Sequence, residues 1–461
     1  MYFLGVLFMA LGISVSIALH EAGHLFWAKK FGVKVTQYMI GFGPTIWSRT
    51  WGETEYGLKA IPLGGFTRMI GMFPPKPRAD PPILPGSSTG WLRVRAWWGG
   101  RFSQLMDQAR QESMDEVKPG DEDRVFYKLS TPKKLVVMLG GPVMNLLIAA
   151  VLLLGVFTLY GIPGLTSQVS GVSQCVQAVP ASGTPLGACS PSDPKAPANL
   201  AGIRAGDQIV SMAGQPVNSW NDVKALTRPN GGRRIPIVVL RGGKSLSLFV
   251  TPILNNVPRV DSQGNLVLGP NGKAIIDRVG FLGLSGSEQL VRQPVIAVPA
   301  LVGQQIAETA GVVVMLPAKM SGIVKAAFGG GTRDPHGPMS VVGVGRLAGE
   351  VASGQLSSGV SGSSSGIVSK LMILIMLIAS LNIALFVFNL VPLMPLDGGH
   401  AAGALWEGLK RQTAKRRGRP NPGYVDVAKA LPVTYVVAIL LIGMSVLLMY
   451  ADVVNPIKLG G

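Results

Sequence analysis

The segment His20-Glu21-Ala22-Gly23-His24 sets two imidazoles four residues apart with a carboxylate between them. On a helix, His20 and His24 share a face, where both can reach one Zn2+. Glu21 stands beside them, placed to take a proton from a water that the metal activates. The alternative is a pair of buried histidines satisfied by hydrogen bonds. The segment lies inside an apolar run from Met1 to Ala28, however. Ionisable groups in an apolar helix of membrane length are costly and usually functional. Three of them within five residues favour a metal, and leave open whether the chain is a protease or uses zinc otherwise.

Two histidines and a water leave zinc one ligand short of a tetrahedral site. The stretch Asn389-Leu-Val-Pro-Leu-Met-Pro-Leu-Asp-Gly-Gly-His400 supplies a candidate. Asp397 is the acid at the end of an otherwise apolar helix, broken by Pro392, Pro395, Gly398 and Gly399. His400 competes for the role and ranks second, more suited to holding a ligand or the fold than the metal.

The elements that must position these groups follow from composition. The 461 residues are 48% hydrophobic and only 14% charged, well short of the quarter or so charged in soluble chains. Apolar runs cover Met1 to Ala28, Leu135 to Tyr160, Ile367 to Leu393 and Val433 to Tyr450, each long enough to span a bilayer. The first is too long for a signal h-region and has no basic residue before Lys29, so it reads as a retained helix. Basic residues flank the end of the first run and the start of the second, and recur as Lys410, Arg411, Lys415, Arg416, Arg417 and Arg419. The positive-inside rule puts Lys29–Lys134 and Asp397–Leu431 in the cytoplasm. His20, His24 and Asp397 then end at similar depth. The +18 net charge comes without a basic helix or an aromatic-basic stretch, so it reads as membrane-surface charge and not as nucleic-acid binding.

Thr36 to Gly71 alternates and is rich in glycine, as in a β-hairpin or small sheet. Met72 to Tyr127 reads as a Pro-rich linker and a charged amphipathic patch. Its Trp91, Trp97 and Trp98 suit either lipid headgroups or a small packed subdomain. Ala198 to Thr251 reads as a small α+β module and resembles a bacterial PDZ domain through Gly202-Ile-x-x-Gly-Asp-x-Ile209 and Gly214-Gln-Pro-Val217. Cys175 and Cys189 fall in an insertion of that module, where a disulfide is allowed outside the cytoplasm. Val295–Val324 is apolar but interrupted by Gln304, Gln305 and Glu308. It is expected to lie on the outer surface or against the bundle, because one more crossing would separate Asp397 from the histidines.

Taken in order, His20-Glu-x-x-His24, Leu396-Asp397-Gly398 after Asn389-x-x-Pro392, and the PDZ-like module between them resemble the site-2 proteases. The bacterial four-helix branch that cleaves anti-sigma factors is the nearest likeness. Phe42-Gly-Pro44, Ile61-Pro-Leu-Gly-Gly-Phe66 and Gly141-Pro-x-x-Asn145 match as well. The resemblance implies an α-helical polytopic membrane protein with about four transmembrane helices, a cytoplasmic β-hairpin or small sheet, and an extracytoplasmic α+β PDZ-like domain. The expected order is a transmembrane helix (1–28), a cytoplasmic β-hairpin region and linker (29–133), a transmembrane helix (134–160), a PDZ-like domain with an insertion (161–285) and an extracytoplasmic or membrane-surface helical region (286–366). A transmembrane helix (367–394), a basic cytoplasmic loop (395–432), a transmembrane helix (433–451) and an extracytoplasmic tail (452–461) complete it.

By the same resemblance the chain is an intramembrane zinc endopeptidase of the bacterial plasma membrane. One Zn2+ is held by His20, His24 and Asp397 near the cytoplasmic side, with Glu21 as general base. Substrate contacts fall to Asn389, Pro392, Gly64 and Gly65, and His400 and Asn145 support the ligands. The expected partners are single-span, anti-sigma-factor-like substrates already cut once outside the membrane, a peptide or protein ligand at the PDZ-like domain, and the bilayer. Two other classes compete. In an idle scaffold the zinc would be structural, but structural sites fill all four positions with protein groups, and three ligands are found. A metal transporter would show internal repeats, which the chain lacks.

Overall fold

The computed structural model describes residues 1–75, 104, 106–177, 188–259, 267–269, 271, 273–329, 333, 337–355 and 366–456. Trp91, Trp97 and Trp98 lie outside the described residues. Two compact units emerge, the first built on Met1–Val156, Pro294–Ser357 and Ser364–Gly461, the second on Phe157–Gln293.

The first unit begins with α1 (Tyr2–Lys30), which ends where Lys29 and Lys30 complement the negative helix terminus. Strands β1 (Val35–Trp51) and β2 (Thr54–Met69) follow. β1 folds back so that its first half pairs with both halves of β2: Tyr38 lies opposite Thr67 and Tyr56, and Met39 opposite Phe66 and Gly57. The later half of β1 pairs with the start of β2, from Trp47↔Leu58 to Trp51↔Thr54. The result is a four-segment sheet with residues 65–69 of β2 along one edge. A short helix α2 (residues 106–115) packs below it, and Arg110 of α2 is ion-paired with Asp426.

Helix α3 (Thr131–Gly155) carries Pro132 in its first turn, where its missing N–H costs nothing. It meets α1 almost backbone to backbone. A Cβ on Gly23 would fall 2.2 Å from Gly140 O, and one on Gly140 would fall 2.5 Å from Gly23 O. Small residues permit this approach in a membrane, where dispersion and not water drives helices together.

The second unit is an α+β body. Its sheet runs β10-β3-β4-β6-β7, from β3 (Ile162–Val172), β4 (Gln208–Met212), β6 (Ile235–Arg241), β7 (Lys244–Val250) and β10 (Leu284–Val291); β5 (Gln215–Pro216) pairs with β4. Helices α4 (Pro197–Leu200) and α5 (Trp220–Thr227) accompany it, and β8 (Ile253–Pro258) and β9 (Ile276–Phe281) form a separate hairpin. Val169, Ile209, Met212, Ile237, Val239 and Trp220 fill the core. Asp207 accepts two 2.7 Å hydrogen bonds from Arg241, and that guanidinium outweighs burial to hold its carboxyl below the usual range. Cys175 and Cys189 are joined in a disulfide. Because β10 belongs to this sheet, the unit ends at Gln293 and not at residue 285, and the region expected to be helical from 286 opens as a strand.

Back in the first unit, α6 (Val298–Phe328), α7 (Val341–Ser353), α8 (Ile367–Asn389), α9 (Asp397–Arg416) and α10 (Leu431–Val454) complete the chain. Among the described residues, five helices are long and apolar enough to cross a membrane, where the sequence suggested about four. The additional one contains α6. It begins after Gln293, whose N–H donates to Phe157 O just beyond α3. Its other end packs Ile323 and Ala327 on Leu448 and Ala451 of α10. Near the end of α10, Asp452 is ion-paired with Arg333 and accepts from the N–H of Ser340, the residue that caps α7. α7 in turn lies along the first half of α1, where a Cβ on Gly5 would touch Ala348. Both ends of α6 therefore sit in the half of the bundle away from His20. A helix of 31 residues is about 46 Å long.

The expected basic loop 395–432 is mostly helix α9. Its Glu407 is buried and accepts 2.9 Å hydrogen bonds from Lys134 of α3. That ion pair ties α9, which starts at Asp397, to the helix beside His24.

Candidate metal centre

One turn of α1 carries His20 and His24, and the close approach of α3 presses both against that helix. His24 Nδ1 lies 2.8 Å from Val137 O of α3. A carbonyl can only accept, so Nδ1 carries the proton and Nε2 keeps its lone pair. Asp397 arrives at the first turn of α9, where the positive helix end favours a carboxylate. Its Oδ2 is 3.3 Å from His20 Nε2 and 3.4 Å from His24 Nε2, and the two Nε2 atoms are 3.2 Å apart.

These three atoms form a nearly equilateral triangle of electron-pair donors, and like donors held so close need a cation between them. Tetrahedral zinc with bonds of about 2.0–2.1 Å sets its ligand atoms about 3.3 Å apart, which matches the three edges. Gly141 of α3 keeps the space open: a Cβ there would fall 2.3 Å from His24 Nε2 and 2.7 Å from His20 Nε2. The residues present therefore fit a zinc ion.

Glu21 turns toward the sheet. Its carboxylate Oε2 accepts a 2.8 Å hydrogen bond from the Thr67 hydroxyl of β2. The Tyr38 hydroxyl of β1 donates to Ala18 O at 2.7 Å. Burial, the Glu21 charge and Tyr56 push Tyr38 up to about 12, so it stays a donor at any physiological pH.

Among the described residues, His20, His24 and Asp397 are the group whose ligand atoms lie close enough together to hold one metal ion. His400 lies one turn further along α9 and is not in that group; burial lowers its pKa. Asn145 reaches His20, its side-chain nitrogen 3.0 Å from Nδ1, while its own Oδ1 is buried without a partner. Rotating the amide by half a turn, which leaves its shape unchanged, gives the orphan oxygen the Nδ1 proton and frees His20 Nε2 for a metal. Gly65 packs against Glu21, since a Cβ there would lie 2.9 Å from Glu21 Cγ. Gly64 has φ +108°, where a side chain would be strained, and faces Phe42. Asn389 ends α8, and Pro392 is exposed in the turn before Asp397. Thr67, Val137 and the Gly141 cradle carry parts of this site that the His-Glu-x-x-His spacing does not reveal. The one signal for Thr67 was its position two residues after Gly65, on the same face of a strand.

The sequence profile of peptidase family M50 matches residues 8–433. The chain is 34% identical to zinc metalloprotease Rip1 of Mycobacterium tuberculosis strain H37Rv, over 100% of this chain and 99% of that protein. It is 32% identical to zinc metalloprotease Rip1 of Mycolicibacterium smegmatis over the same shares. With zinc metalloprotease RasP of Oceanobacillus iheyensis it shares 27% identity, over 52% of this chain and 60% of the relative.

Proposed function

Since the chain belongs to peptidase family M50, the site-2 zinc metalloproteases, we propose that His20, His24 and Asp397 hold its zinc and that Glu21 is its general base. The triangle of donor atoms, with edges of 3.2–3.4 Å, carries this reading. Bound there, zinc supplies Lewis acidity that polarises a peptide carbonyl and makes a water acidic near neutral pH. Glu21 is placed to take a proton from water as the water oxygen bonds to the peptide carbonyl carbon, and to return a proton to the amine nitrogen as the C–N bond breaks. Asn145 fixes the His20 tautomer through Nδ1, as Val137 O does for His24.

The substrate is a transmembrane segment of a membrane protein. A transmembrane helix hides its carbonyls in its own hydrogen bonds, so the chain must unwind and find new partners. The edge at residues 65–69 of β2 offers them by strand addition, with Gly64 and Gly65 allowing close approach and Asn389 and Pro392 contributing from the segment that leads to Asp397. We place α1, α3, α8 and α10 across the bacterial plasma membrane, with Lys29, Lys30, Lys133 and the α9 cations on the cytoplasmic side. The second unit is then extracytoplasmic and acts as the PDZ-like domain. Support comes from β10 at the sheet edge and from the cavity of about 200 Å3 that Trp220, Val223 and Leu284 help to line, features that suit an added peptide strand. Substrates of the anti-sigma-factor type, trimmed outside first, fit this layout.

Purified protein incubated with a single-span substrate should cut inside the apolar segment, stop on chelation and recover with zinc. Cleavage that survives removal of all metal would end the proposal. For the topology, a bilayer-impermeant thiol reagent should label a cysteine placed at Gly242 in intact cells and spare one placed at Gly418. The reverse pattern would invert the layout.

A further inference from the structure

We infer that Thr67 is the residue that positions the general base, and that it does so from the strand that receives substrate. The inference rests on Glu21 as that base. Among the described residues, the hydrogen bond that reaches the Glu21 carboxylate is the one from Thr67, at 2.8 Å; the same hydroxyl lies 3.2 Å from Glu21 O. Glu21 is buried, and its side chain has several rotatable bonds. Without a fixed donor the carboxylate would sample several rotamers.

The docking of β2 onto α1 is built for this contact. Gly65 lets the strand close up, because a Cβ would sit 2.9 Å from Glu21 Cγ and 3.1 Å from Ile17. Thr67 follows two residues later on the same face. Tyr38, paired with Thr67 across the sheet, pins the neighbouring strand to Ala18 O. On its other side, residues 65–69 have no strand partner among the described residues. An extended peptide added there would form backbone hydrogen bonds to the strand that holds Thr67. Binding would thus stiffen the arm that aims Glu21, so that the base is best ordered when a substrate strand is in place.

Thr67→Val keeps the shape and removes the hydroxyl. A hydrogen bond to a charged group of this kind corresponds to about a tenfold to hundredfold change. We expect kcat to fall by at least about tenfold, KM to move by less than about twofold, and the zinc content of the purified protein to stay at wild-type level. Thr67→Ser should recover most of kcat. If Thr67→Val proves poorly folded, Thr67→Ala read against Thr67→Ser gives the same comparison. Wild-type kcat in Thr67→Val beside an inactive Glu21→Gln overturns the role of Thr67 alone. A raised KM with unchanged kcat does so too, since it means the hydroxyl only holds the strand. Full activity in Glu21→Gln overturns the reading of the base itself.

Discussion

Glu21→Gln should lose peptide-bond hydrolysis by about 10²–10⁴-fold, the range of a general base, while still binding one zinc per chain. The amide is nearly isosteric with the carboxylate and can still accept from Thr67, so the 2.8 Å contact and the fold survive. What disappears is the ability to take a proton. The three metal-facing atoms belong to other residues, so zinc measured in the purified variant should equal that of the wild type. The substrate should also remain bound and uncut, which makes this variant the one to use for trapping substrates in cells. A variant that cleaves at the wild-type rate would remove Glu21 from the mechanism. One that loses zinc would instead make Glu21 a metal ligand.

Asp397→Ala should remove zinc as well as activity. It deletes one corner of the donor triangle and leaves two imidazoles, which are too few to hold zinc against the cell's other ligands. The loss in affinity should exceed the 10–100-fold typical of residues that only support a ligand. Asn145→Leu provides the internal scale: it leaves all three donors and unfixes the His20 ring, so its affinity should fall within that smaller range. Competition with a calibrated chelator measures both. If Asp397→Ala bound zinc as tightly as Asn145→Leu, the third ligand would have to be sought elsewhere, with His400 the first residue to test.

The two histidines were legible because helix geometry alone makes residues four apart neighbours. Asp397 was legible because an acid beside prolines and glycines at the end of an apolar run has few structural uses in a membrane. The module that holds β4, β6 and β7 was legible as a small α+β unit through Gly202-Ile-x-x-Gly-Asp-x-Ile209 and Gly214-Gln-Pro-Val217. By contrast, Val137 contributes a backbone carbonyl to His24, and a carbonyl leaves no mark in a side-chain pattern. Thr67 acts across two elements whose docking depends on glycine, and glycine signals only that something comes close. β10 was missed since Leu284-Ser-Gly-Ser-Glu-Gln-Leu-Val291 has weak alternation, with Gly286 in place of a side chain under Trp220. α6 was ambiguous for a physical reason as well. Its apolarity suits a crossing and its length exceeds one, whereas its direction is set by where both ends are tied.

Asp397 lies at the start of α9, behind nearly all of the chain that follows His24. A ribosome therefore delivers the imidazoles long before their third companion exists. On the proposed ligand set, no complete metal site can form in the growing polypeptide until α9 has begun to emerge, so the capacity to cut arrives only with the last stretch of the chain.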